Sequence, residues 1–257
     1  MTIGKGDHYF SNLNRKFTMA YEQFDTDEAA KYLNMSIQEL EKLVRSKEIP
    51  SRISQNRLVF VKAELHDWMT TRFLSEKDSP ADFHKNKGKC DKPLPKDQPF
   101  LEPFLLEQTI ELNFQARTKP KVLKGLVKIA AESHLISDEQ EYLELLIARE
   151  EIGSTGIVKG VAMPHSRVHD EFLLLDSFLV IAYSRSGIPF GAQDGKLSDL
   201  FIMPCAQGDT VHLQLLARIA LLLSKTSMAD EIRQCTSPAE VIELIVDIEK
   251  AYLNSIK

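Results

Sequence analysis

The sequence predicts a mixed α+β chain in two domains. The first is a small unit of short helices and a two-stranded ribbon; the second is a mixed β-sheet flanked by helices. Three observations carry this reading. At 257 residues the chain is long enough for two cores of ordinary size. Residues 76–99 hold almost no aliphatic side chain but contain Pro80, Pro93, Pro95, Pro99 and many alternating charges. Such a stretch cannot bury a core and reads as a linker between residues 24–75 and 103–257. On either side of it the hydrophobic period switches between helical and extended spacing.

In the first unit Thr26 opens a short helix through Leu33, with Ala29, Ala30 and Leu33 apolar. Ser36 begins the next, where SIQE spells a capping box: the Ser hydroxyl accepts from the Glu39 amide and the Glu39 carboxylate reaches back. Ile37, Leu40, Leu43 and Val44 form its inner stripe. IPSRISQNRLVFVK reads as a ribbon turning near Gln55–Asn56, and AELHDWMTTR closes as a third helix. Two helices joined by so short a turn suggest a helix-turn-helix, with the ribbon as its wing.

In the second unit TIELNF (109–114) alternates as a strand, and a helix spans about Lys119–Ser133 with Leu123, Leu126, Val127 and Ala130 on one face. Ser137 with Gln140 reads as a capping box for a helix ending near Glu150. Strands follow at about 161–163, 174–184 and 199–203, then a long helix over His212–Ser224. Ser237, Pro238 and Glu240 start the last helix. Helices and strands interleaved in this way pack as helices on a mixed sheet.

Composition narrows the function. A hydrophobic share of 43% with 27% charge is that of a globular protein, and no apolar run reaches the length of a membrane span. MTIGKGDHYF lacks the apolar core of a signal peptide, so a cytoplasmic location without membrane insertion is expected. Cys90, Cys205 and Cys235 form no CxxC pair, which indicates neither a zinc site nor a disulfide framework. Residues 1–98 carry 17 basic and 15 acidic side chains, residues 99–257 carry 15 and 22. The acidic second part would repel nucleic acid, so any such contact belongs to the first.

The chemistry concentrates in REEIGSTGIVKGVAMPH, Arg149 to His165. A nucleophilic histidine must be neutral, and imidazole is largely neutral in cytoplasm. Ser154 and Thr155 supply hydroxyl donors, and Gly153, Gly156 and Gly160 let backbone amides approach an anion. Arg149 supplies a cation; near a surface, unit charges about 4 Å apart attract by roughly 4 kcal/mol. His212 precedes LQLLARIALLL and shares helical spacing with Leu216, Ile219 and Leu223. From the residues alone it reads as a core-edge imidazole. His165 and His169 stand four apart, but Pro164 starts the segment and no third ligand is evident, so no metal is expected. His169, His134, His84, His66 and His8 read as surface or packing residues, and no cofactor is indicated.

The Arg149–His165 segment closely resembles the active-site segment of the enzyme IIA domains of the bacterial phosphotransferase system, mannitol/fructose and nitrogen-regulatory class. The resemblance covers about residues 103–257. It implies that His165 takes the phosphoryl group, that Arg149, Ser154 and Thr155 support it, and that His212 lies beside it. It also implies an HPr-type phosphocarrier as donor. Ser166 departs from the family's usual Gly or Ala. DEAAKYLNMS, LVRSKEIPSRI and NRLVFVKAELHDWM in turn resemble the winged-helix domains of excisionases and of the MerR type. Here Lys47 stands where that family usually has Gly, and Glu39 and Glu41 lie on the second helix.

For DNA, Arg45, Lys47, Arg52 and Arg57 would meet phosphates, while Gln38 or Lys42 would reach bases. Residues 24–75 hold eight basic and eight acidic side chains, so a protein-interaction role stays open. Together these readings imply a regulatory phosphoryl-accepting protein whose state is coupled to a DNA-binding-type domain, with a regulated protein as a further partner. No attached IIB or membrane segment is seen in the chain. Two alternatives are a sugar-transport IIA subunit that passes phosphate to a separate IIB, and a non-phosphorylated interaction module.

Overall fold

The computed structural model describes residues 22–33, 35–55, 57–74, 98–157, 159–169, 172–192 and 194–256. The expected linker lies outside these residues except at 98–99, as do His8, His84 and Cys90. The chain divides into two compact units, the first containing the described residues 22–72 and the second 98–256.

In the first unit the order is β1 (Gln23–Phe24), α1 (Thr26–Tyr32), α2 (Ile37–Arg45), β2 (Arg52–Ser54), β3 (Arg57–Val61) and α3 (Lys62–Leu74). Asp25 caps α1 and Glu28 returns the bond, so the box begins one residue before Thr26. Ser36 and Glu39 form the box the sequence announced. The ribbon is a three-stranded sheet in the order β1-β3-β2, because Gln23 and Phe24 add an antiparallel edge to β3. Ala29, Leu33, Leu40, Phe60, Leu65 and Met69 make the core. Ile37, expected on the inner stripe, is instead 43% exposed. Lys47 has φ 58, in the left-handed region where glycine carries no steric cost, which accounts for the family's preference there.

In the second unit a 3₁₀ turn (Glu102–Phe104) leads to β4 (Leu105–Glu111), α4 (Lys119–Glu132), α5 (Glu139–Ile152), β5 (Val161–Ala162), β6 (Phe178–Ile188), β7 (Ser198–Cys205), α6 (Asp209–Lys225), α7 (Met228–Ile232) and α8 (Pro238–Ser255). The sheet order is β4-β6-β7-β5. β4 runs parallel to β6 and β5 parallel to β7, while β6 and β7 are antiparallel. α4 packs on β4 and β6 and against α5; α6 packs on β7, and α8 on β4 and α6. The core gathers Leu126 and Val127 of α4, Tyr142 and Leu146 of α5, and Phe178, Val180 and Phe201 of the sheet. α6 is buried on nearly every side, as an apolar helix must be.

Boundaries moved for local reasons. Asp138, not Ser137, caps α5, accepting from the Glu141 amide; the Ser137 hydroxyl donates to the Phe172 and Leu173 carbonyls. β6 begins at Phe178, because Leu174 makes only an isolated bridge to Ile136. β4 starts four residues before TIELNF, with a register shift between Leu105 and Ile110. One buried ion pair anchors the start of this unit. Glu249 of α8 accepts from Arg218 of α6 at 2.7 Å and from the Phe100 and Leu101 amides at 3.0 Å each.

Candidate functional site

Arg149 and Glu150 sit in the last turn of α5 and both are buried. Arg149 Nη1 donates to the Gly153 carbonyl at 3.0 Å, so its guanidinium covers the helix C-terminus, where a cation is favoured. Burial lowers its pKa, opposed by the neighbouring Glu150 charge.

Beyond Gly153 the chain folds into a tight hairpin that delivers His165. The Ile157 amide donates to the Val161 carbonyl at 2.8 Å and the Met163 amide to the Thr155 carbonyl at 3.0 Å. Lys159 and Gly160 take φ 59 and 74 at the turn. A Cβ on Gly160 would lie 2.8 Å from Arg233 Nη2 and 2.9 Å from Asp199 Oδ1. One on Gly156 would lie 2.8 Å from the Ala192 backbone. These two glycines thus serve the turn and its packing.

The hydroxyls expected around a phosphoryl group are committed to the protein. Thr155 Oγ1 donates to Glu150 Oε2 at 2.6 Å, and its amide reaches both carboxylate oxygens at 3.2 Å. Ser154 Oγ donates to the Phe190 carbonyl at 2.8 Å and accepts from the Gly156 amide at 3.1 Å. Lys119 of α4 closes this network, 2.7 Å from Glu150 Oε1, 3.4 Å from Ser154 Oγ and over the Phe190 ring at 4.8 Å. The GST segment is therefore braced from below by an acid and a lysine.

His165 lies three residues beyond the end of β5 and is buried. Its Nδ1 donates to the Met163 carbonyl at 2.8 Å, which places the proton on Nδ1 and the lone pair on Nε2. Its pKa is pushed down to about 3, first by burial, then by the Arg149 charge, with His169 adding and the Met163 bond opposing. The ring is thus a neutral imidazole across the physiological range, the form a nucleophile needs. His212, in the first turn of α6, is buried with its ring centroid 5.3 Å from that of His165. His169 lies 3.9 Å from His212 by centroid, at 30°. The segment from Met163 to His169 is not helical, so the spacing of four carries no helical meaning. The Ser166 hydroxyl closes a local turn, donating to the Val168 carbonyl and accepting from the Val168 amide.

Gln38, Lys42, Arg45, Lys47, Arg52 and Arg57 are all exposed on the first unit. Arg45 pairs with Glu41 at 4.0 Å, one turn away, which gives Glu41 a local role. Arg52 pairs with Glu64 of α3. Both pairs reduce the free positive charge of this surface.

Sequence reasoning passed over Lys119, Glu150, His169 and Asp209. Glu150 stood beside Arg149 in the motif, but an acid next to an anion site reads as repulsive until its partners are seen. Asp209 lay outside the helix read over His212–Ser224, which in fact begins at Asp209.

Residues 103–248, more than half of the chain, match the family described as Phosphoenolpyruvate-dependent sugar phosphotransferase system, EIIA 2. Residues 24–72 match the helix-turn-helix domain family. The chain is 28% identical over 151 residues to a nitrogen regulatory protein of Pseudomonas aeruginosa, covering 58% of this chain and 96% of that one. It is 30% identical over 147 residues to the PTS system fructose-specific EIIABC component of Bacillus subtilis. That stretch is 56% of this chain but 22% of the relative's length. The crystal structure of nitrogen regulatory protein IIA-Ntr from Neisseria meningitidis superposes with a TM-score of 0.50 at 26% identity, covering 56% of this chain and 97% of that one. Among the described residues no helix is long and apolar enough to cross a membrane. With a neutral imidazole after the β5 hairpin, an arginine beside it and a second histidine opposite, the chain belongs to the phosphotransferase system EIIA 2 family.

Proposed function

We propose that this chain is a regulatory phosphoryl acceptor: residues 103–257 take a phosphoryl group on His165 from an HPr-type carrier, and residues 24–75 form a DNA-binding-type domain that reports that state. The carrying observation is the Nδ1 bond of His165 to the Met163 carbonyl at 2.8 Å, which leaves Nε2 as the nucleophile. In the step, the Nε2 lone pair forms the new N–P bond as the carrier's N–P bond breaks, and the carrier departs with that electron pair. Arg149 supplies fixed positive charge for the transferred dianion, and such preorganised charge dominates phosphoryl transfer. His212 is the second imidazole of the site. Ser154 and Thr155 act by shaping the loop in the resting state. His165 is buried, so its surroundings must move before a carrier can reach it.

The match to a helix-turn-helix family favours a regulatory output, as does likeness to proteins named nitrogen regulatory. Likeness to a fructose-specific component keeps a transport reading alive, with phosphate passed to a separate IIB. Labelled phosphoenolpyruvate with enzyme I and the carrier separates these. Label that enters the chain and stays there when IIB proteins are added supports regulation; onward passage to IIB supports transport. DNA retention that weakens steeply with salt, and that differs between the phosphorylated and free chain, tests the coupling.

A further inference from the structure

His169 lies on no regular element, yet its ring is fixed at both nitrogens. Nδ1 stands 2.7 Å from Asp209 Oδ1 and Nε2 stands 3.1 Å from the Ser166 carbonyl. Both partner oxygens are acceptors, so the geometry sets each ring nitrogen of His169 as a donor. Its side chain is 3% exposed, against 27% for Asp209.

This placement joins the two halves of the site. Asp209 is in the first turn of α6, three residues before His212 and on the same side of the helix. The helix that presents His212 therefore also anchors the ring stacked on it, 3.9 Å away by centroid. The Ser166 carbonyl belongs to the residue immediately after His165. A single imidazole thus restrains the His212 ring and the backbone beside His165.

We propose that His169 is a third imidazole of the phosphoryl site, a charged positioning residue set by Asp209. It holds the His212 ring against His165 and adds a cation to that of Arg149 for the phosphorylated state. This rests on the phosphoryl-accepting reading above.

The test uses the full chain and two variants, His169→Gln and Asp209→Asn. Long-range proton–nitrogen spectra of the imidazoles are recorded before phosphorylation, and the phosphorylated share at equilibrium with the carrier is then read by intact mass. In the native chain both His169 nitrogens carry protons; in Asp209→Asn that signature is lost. Each variant lowers the phosphoryl equilibrium about tenfold, read on chains whose fold is checked by circular dichroism. Asp209→Asn, nearly isosteric at a part-exposed position, decides the matter if His169→Gln does not fold. A native chain that accepts phosphate, with variants that accept it equally well, overturns this inference alone. So does a bare His169 nitrogen in the native spectrum. A native chain that accepts none overturns the phosphoryl reading together with it.

Discussion

Thr155 donates its hydroxyl to Glu150 at 2.6 Å, tying the loop that follows α5 to the helix it leaves. Glu150 is 7% exposed and also holds Lys119. Glu150→Ala orphans the buried Thr155 donors, while Lys119, 30% exposed, retains water. The expected loss is about 2–3 kcal/mol in chemical unfolding, against about 1–2 kcal/mol for Thr155→Val. A Glu150→Ala chain as stable as the native one contradicts this bracing role.

Arg149 differs in kind. Its guanidinium is expected to act on the transferred group, so Arg149→Gln should slow phosphoryl uptake by about a hundredfold. Arg149→Lys keeps the charge but not the planar fork and should fall between. Initial rates of label uptake, with the fold checked by circular dichroism, make the comparison.

The depressed pKa of His165 sets a pH dependence. Unfolded, the ring binds a proton below about 6.5; folded, it stays neutral down to about 3. Between these values the unfolded chain holds the extra proton, so stability falls as pH drops from about 6.5 towards 3 and is unaffected above. His165→Gln should flatten the stability curve in that window, measured by urea midpoints from pH 3 to 8. An unchanged slope contradicts the neutral buried ring.

The Arg218–Glu249 pair predicts an asymmetry. Glu249→Leu strands a buried guanidinium and the Phe100 and Leu101 amides together, an expected loss of about 3–5 kcal/mol. Arg218→Met leaves Glu249 with its two amide donors and should cost less. Denaturant titration of both variants ranks them.

Lys47 strains its backbone at φ 58. Lys47→Gly should raise the stability of the first unit by up to about 1 kcal/mol through relief of that strain. It should also weaken any DNA binding through loss of one phosphate contact and lower the salt slope by about one. Thermal melts and salt-dependent retention read the two effects separately.

What the sequence disclosed follows from how local each signal is. The Ser36–Glu39 box and the Ser237–Pro238 start depend on four adjacent residues and appear where expected. β6 and β7 include long buried apolar runs, and both lie within a few residues of the strands read at 174–184 and 199–203. From its residues His212 read as a core-edge imidazole, while the family resemblance implied that it lies beside His165, and the two rings do lie together. Long-range partners left no such trace. The contact between Lys119 and Glu150 spans 31 residues, and that between His169 and Asp209 spans 40. The glycines are ambiguous in sequence because left-handed turns and close packing call for the same residue as an anion-binding loop.

The most direct measurement is fragmentation mass spectrometry of the chain after incubation with phosphoenolpyruvate, enzyme I and an HPr-type carrier, under conditions that preserve phosphohistidine. One phosphoryl group located on His165, and absent from the His165→Ala chain, is the predicted result. A native chain that stays unmodified beside a phosphorylated carrier, or that carries the group on another residue, contradicts the account.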